Sequence, residues 1–221
     1  MADRRRPRIL PILILGSYDP ETKPVLEAVR EELSKLTTVV EDIYVLPLLL
    51  EQVEIFLIEA EERLFFLVEE GHREAEISVI DRSGVIRDRI RLELPVEKKL
   101  EDVMLDVAKN IAPRLKGFIK LPVMEKLAAL AGPKECLLLL IRHVELTRGG
   151  EYIELAFLTG RYVDPGNIYF ICREGVPLSE MAHDLIELFR LNFRTYREVS
   201  ELVQLVRRIV NYRIKELLER D

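Results

Sequence analysis

Two carboxylates, Glu151 and Glu154, follow Arg148-Gly149-Gly150 and precede the apolar run Leu155-Ala156-Phe157. A carboxylate at such a place can act on an electron-poor carbon, as a nucleophile or as the stabiliser of a developing cation. The two glycines let the backbone turn sharply and leave space beside it. A helix that opens there presents unpaired N–H groups and the positive end of its dipole, which suits an anion or a polar sugar. Arg148 adds a guanidinium matched to a phosphate. The two acids stand three residues apart and share one side of the helix, so they compete for one role. A plainer explanation stands beside this one: first-turn acids complement a helix dipole, and Gly149-Gly150 makes a tight turn.

A second loop with chemical content is Gly16-Ser17-Tyr18-Asp19. Asp19 is either a ligand of a polar group or the carboxylate that caps the next helix. Arg142, His143 and Glu145 lie between the apolar run Cys136–Ile141 and the glycine pair, and His143 reads as a satisfied core or strand-edge histidine before it reads as a catalyst. His72, His143 and His183 are far apart, and no Cys-x-x-Cys pair occurs, so the pattern calls for neither metal nor cofactor. Gly-x-x-x-x-Gly-Lys, Gly-x-Gly-x-x-Gly and Gly-x-Ser-x-Gly are absent as well.

The elements that must position these residues follow from periodicity. Ile9–Leu15 is a short apolar run ending in glycine, which predicts a buried strand. Asp19-Pro20-Glu21-Thr22 predicts a helix start, with Val25, Leu26, Val29, Leu33 and Leu36 on its inner face. Val39–Leu46 predicts the second strand, closed by Pro47. Residues 53–94 change character to short, partly alternating segments with hairpin-sized gaps, an antiparallel insertion or edge extension within one α/β domain spanning 1–221. Val96 to Ile111 predicts a helix ending near Pro113, and Pro122–Leu130 a shorter one. Cys136–Ile141 and Asn167–Arg173 predict buried strands on either side of the glutamate-bearing helix. The remainder reads as helical, closing with a long helix from about Tyr196 to Glu219. Its stripe of Leu202, Val206, Ile209 and Val210 docks on its own sheet or on a partner copy.

Composition narrows the setting. The 221 residues carry 33% charged side chains and a net charge of −6, which argues against general nucleic-acid affinity. Cys136 and Cys172 sit in apolar runs, as reduced thiols in a cytoplasmic protein do. Arg4-Arg5-Arg6 before an apolar run imitates a signal peptide, but the run contains Pro11 and no cleavage pattern follows. No run approaches the roughly 20 apolar residues that span a bilayer, so no membrane partner is expected. Abundant Glu, Lys and Arg with only two glutamines, Gln52 and Gln204, resemble a thermophile's composition.

The pairing of Gly16-Ser17 after the first strand with Gly149-Gly150-Glu151-Tyr152-Ile153-Glu154-Leu155-Ala156 resembles the nucleoside 2-deoxyribosyltransferase and TIR-like superfamily. The resemblance covers about the first 45 residues and Cys136 to Gly175. It implies a flavodoxin-like parallel sheet flanked by helices, here with a β-hairpin-rich insertion and a long C-terminal helix. It further implies nucleoside or nucleotide binding with N-glycosidase or deoxyribosyltransferase activity. Glu154 would then act at the sugar C1, with Gly16, Ser17, Asp19, Gly149 and Gly150 around the sugar and Arg148 on any phosphate. Family members often carry an aspartate where this chain has Arg142, His143 and Glu145. The alternative is a non-catalytic regulatory or assembly protein of the same fold, a homo-oligomer formed through the long helix.

Overall fold

A computed structural model describes residues 8–38, 43–49, 52–70, 74–82, 85–95, 97–122, 125–126, 128–129, 136–145, 150–159 and 161–219. Its strands are β1 (Arg8–Gly16), β2 (Ile43–Leu49), β3 (Val53–Glu59), β4 (Arg63–Glu70), β5 (Glu74–Asp81), β6 (Ile86–Glu93), β7 (Gly117–Lys120), β8 (Leu137–Arg142), β9 (Ile168–Arg173) and β10 (Asn192–Tyr196). The helices are α1 (Lys23–Ser34), α2 (Leu100–Ile111), α3 (Gly150–Leu158), α4 (Glu180–Phe189) and α5 (Val199–Glu219). The chain divides into two compact units, Met1–Ile9 with Leu50–Ala129 and Leu10–Leu49 with Leu130–Asp221.

The first unit carries an antiparallel sheet of order β6-β5-β4-β3-β7. The strands of the 53–94 stretch, β3 to β6, therefore form a sheet of their own, extended by β7, a four-residue strand too short to stand out in the sequence. Phe56, Ile58, Phe66, Val68, Ile77 and Val79 face one core with Val103, Met104 and Ala108 of α2. Edge strand β6 exposes Arg87, Asp88, Arg89, Arg91 and Glu93, charges that discourage pairing with another sheet edge.

The second unit is built on a parallel five-stranded sheet of order β10-β9-β8-β1-β2. All six residues of β8 are buried, as expected of a strand covered on both faces. One face packs Leu10, Ile12, Ile14, Leu137 and Leu139 against Val25, Leu26 and Val29 of α1 and Leu202, Val206 and Val210 of α5. Both Val206 and Ile209 are buried in the core of their own unit, so they are not available to a partner helix.

Three local expectations are corrected. β2 runs through Pro47 to Leu49 instead of closing there, because it lies at the edge of the sheet, where a missing N–H is tolerated; Val39 and Val40 lie outside the described residues. α1 begins at Lys23 with Pro24 in its first turn, and Asp19 shapes the turn before it. β10 occupies a stretch expected to be helical, and α5 starts at Val199. α4 stops without a glycine: Arg190 takes the left-handed conformation at φ 51°, while the amides of Arg190 and Leu191 bond back to Glu187 and Ile186.

Candidate functional site

The carboxyl ends of β1, β8, β9 and β10 bring the second unit's polar residues to one sheet edge. Gly16 ends β1 and is in register with Ile141 of β8. A Cβ at Gly16 would stand 2.8 Å from the Ile141 carbonyl oxygen and 3.0 Å from a Leu26 methyl, so glycine is required by the close approach of strand and helix. Ser17, Tyr18 and Asp19 follow and are partly buried.

Asp19 meets the capping explanation directly. Its Oδ1 accepts the amides of Glu21 at 2.9 Å and Thr22 at 2.8 Å. Burial alone would raise its pKa, but donors from Thr22, Ser17 and Glu21 outweigh it and hold the carboxyl below its usual range. It is therefore ionised at neutral pH and poised as a fixed negative charge at the edge.

The end of β8 contributes Arg142 and His143, each held by a tyrosine from another element. Arg142 is buried and donates Nη1 to the hydroxyl of Tyr152 in α3, over whose ring its guanidinium also lies. No carboxylate among the described residues pairs with it, and its Nε has no partner among them. His143 is half-buried, with Nδ1 2.8 Å from the hydroxyl of Tyr196 at the end of β10 and the two rings stacked. Burial and then the Arg173 charge lower its pKa, against the opposite pull of Asp19 and Glu21. Tyr196 is fully buried, which drives its phenol pKa upward and keeps it protonated. Sequence reasoning left His143 as a strand-edge residue; its tyrosine partner lies 53 positions away, and no local pattern joins the two.

α3 stands on the same edge because it begins eight positions after β8 ends. Tyr152, Leu155 and Leu158 of this helix are buried; Tyr152 stacks on Phe170 of β9, and Thr159 closes the helix by donating to the Leu155 carbonyl at 2.6 Å. Glu151 and Glu154 are carried by this helix, and Gly150 is its first residue. Arg148 and Gly149 lie outside the described residues, as do the side chains of Glu151 and Glu154. Gly16, Ser17 and Asp19 thus share an edge with the start of α3.

A cavity of about 580 Å³ opens at the opposite edge, where β8, β9 and β10 begin, lined in part by Tyr162, Asp164, Tyr169, Tyr212, Arg213 and Glu216. The Arg213 Nη1 is already 3.1 Å from the Glu216 carboxylate. Open α/β sheets bind ligands outside the carboxyl ends of their strands, which favours the Gly16 edge over this cavity. Cys136 and Cys172 are buried and free; burial pushes the Cys136 thiol up to about 12, so it is inert. Among the described residues no group of three or more His, Cys, Asp and Glu side chains is arranged to hold a metal ion. No helix among them is long and apolar enough to cross a membrane. No protein-family model matches this chain, and no curated protein matches it.

Proposed function

We propose that the parallel-sheet unit binds a nucleoside or nucleotide at the edge formed by β1 and β8, and breaks or transfers its N-glycosidic bond. The carrying observation is the strand order. Counted within this unit alone, β2-β1-β8-β9-β10 is 2-1-3-4-5, with the reversal between β1 and β8, an order that supports the flavodoxin-like reading. Gly16, Ser17 and Asp19 follow one of those strands, and the helix bearing Glu154 follows the other. In this reading the Glu154 carboxylate attacks the sugar C1, the C1–N bond breaks, and its electron pair leaves with the base, which takes up a proton. Water or a second base then displaces the carboxylate. Gly149 and Gly150 admit the sugar, Arg148 contacts a phosphate, and the free buried thiols suit a cytoplasmic setting.

The test is a thermal-shift panel of nucleosides and nucleotides on the wild type and Glu154→Ala, followed by chromatography for released base. Stabilisation of both proteins with base release by the wild type alone is expected. Release by both proteins would remove Glu154 from the chemistry, and silence in every arm would remove the reading.

A second reading, an assembly protein, is favoured by α4, where Met181 and Leu188 are 51% and 74% exposed one face-repeat apart. Sedimentation should then give twice the chain mass for the wild type and a monomer for Met181→Glu with Leu188→Glu. A wild-type monomer would end that reading.

A further inference from the structure

Resting on the nucleoside reading above, we infer that His143 is a ligand-contacting residue that donates a hydrogen bond from Nε2 to an acceptor atom of the nucleobase, and that Tyr196 is the positioning residue that makes it a donor. The geometry is specific. His143 is the first residue beyond β8, at the point where the strand order reverses. Its Nδ1 is engaged at 2.8 Å by a hydroxyl from β10, two strands away, and the two rings lie nearly parallel at 14°. Tyr196 is 0% exposed and packed within the main core of its unit, so the hydroxyl comes from a rigid anchor.

The direction of that bond follows from the surroundings. The buried Tyr196 O–H has no other acceptor among the described residues, and a buried donor left unpaired is costly, so in this inference the phenol donates and Nδ1 accepts. The imidazole nitrogen that accepts must be the unprotonated one, which leaves the neutral ring with its proton on Nε2. That nitrogen has no partner among the described residues, and the residue is half-buried. A nucleobase presents ring nitrogens or carbonyl oxygens that accept such a bond, and the bond strengthens as negative charge develops on the departing base. Other charges facing His143 are Arg173 from the end of β9 and Asp19 and Glu21 from the loop after β1.

The experiment is nitrogen-15 NMR of the full chain, with His143→Asn assigning the ring signals and adenosine and thymidine as probes. The free wild type should show one neutral tautomer with Nε2 protonated, and Tyr196→Phe should mix the tautomers. A probe that binds should shift the His143 Nε2 signal, and His143→Asn should weaken binding by about tenfold, the loss expected for one hydrogen bond. Tyr196→Phe should weaken it less, since its ring still fills the core. A wild-type ring protonated on Nδ1 overturns the inference. So does a probe that shifts the Gly16 and Ser17 amides without moving the Nε2 signal, and that outcome leaves the nucleoside reading standing. Silence of every signal toward both probes overturns the reading and the contact together. The tautomer and Nε2 shift are read on the wild type, so a variant that fails to fold does not shelter the proposal.

Discussion

Both units pair buried charge with carboxylates, Arg213 of the parallel unit standing 3.1 Å from Glu216, and they differ at Arg142. In the antiparallel unit, Lys126 is 7% exposed yet meets the Glu54 carboxylate at 2.5 Å and the Val53 carbonyl at 3.0 Å. Buried Asp81 likewise meets the Arg87 guanidinium at 2.7 Å. In the parallel unit, Arg142 is 5% exposed and its described partner is a neutral phenol. A buried charge costs several kcal/mol unless paired, so the first unit's pairs are what a purely structural core requires. At the end of β8 an arginine donates to one buried hydroxyl and a half-buried histidine is engaged by a second. The contrast supports the proposed placement of the site in the parallel unit.

The comparison can be broken first through the cores. Leu139→Ala, at a fully buried position of β8, should cost about 2–5 kcal/mol in chemical denaturation. A loss under 1 kcal/mol would mean the parallel sheet is not close-packed. Next come the charges themselves. Glu54→Gln leaves buried Lys126 its carbonyl bond but no opposite charge, and should cost about 3 kcal/mol. Tyr152→Phe removes a neutral acceptor of a buried guanidinium and should cost about 2 kcal/mol. The reverse order would dissolve the contrast between the units.

Asp19→Ala removes two amide acceptors ahead of α1 and should cost about 1 kcal/mol at neutral pH. Because the folded pKa of Asp19 is depressed, this contribution is present above the unfolded value near 3.8 and is lost as pH falls toward the folded value. Thermal melts of wild type and variant should therefore converge below pH 3.8; a constant gap would assign the loss to packing. The sign for His143 follows from the same logic: its folded pKa lies below 6.5, so protonation penalises the fold as pH drops from 6.5, and His143→Asn should flatten that slope. Smallest of all, Arg91→Ala on the solvated β6 edge should stay within about 0.5 kcal/mol, its partner Glu76 being partly exposed. A larger loss would show that the charged edge carries structure.

Periodicity by itself determined the buried strands at Ile9–Leu15 and Cys136–Ile141, the helices after each, and the antiparallel character of residues 53–94, because those patterns are imposed by local geometry. It also marked Gly16 and Asp19, whose constraints are a neighbouring strand and two adjacent amides. β10 stayed hidden because its preceding helix stops at an arginine in a glycine-like conformation, and β7 because four residues carry too little pattern. The order of the strands, the separation into two units and the tyrosine clamps on Arg142 and His143 were decided only by the tertiary structure. Those features join residues far apart in the chain, and what joins them is burial of hydrophobic faces around a shared sheet, which no short window of sequence contains.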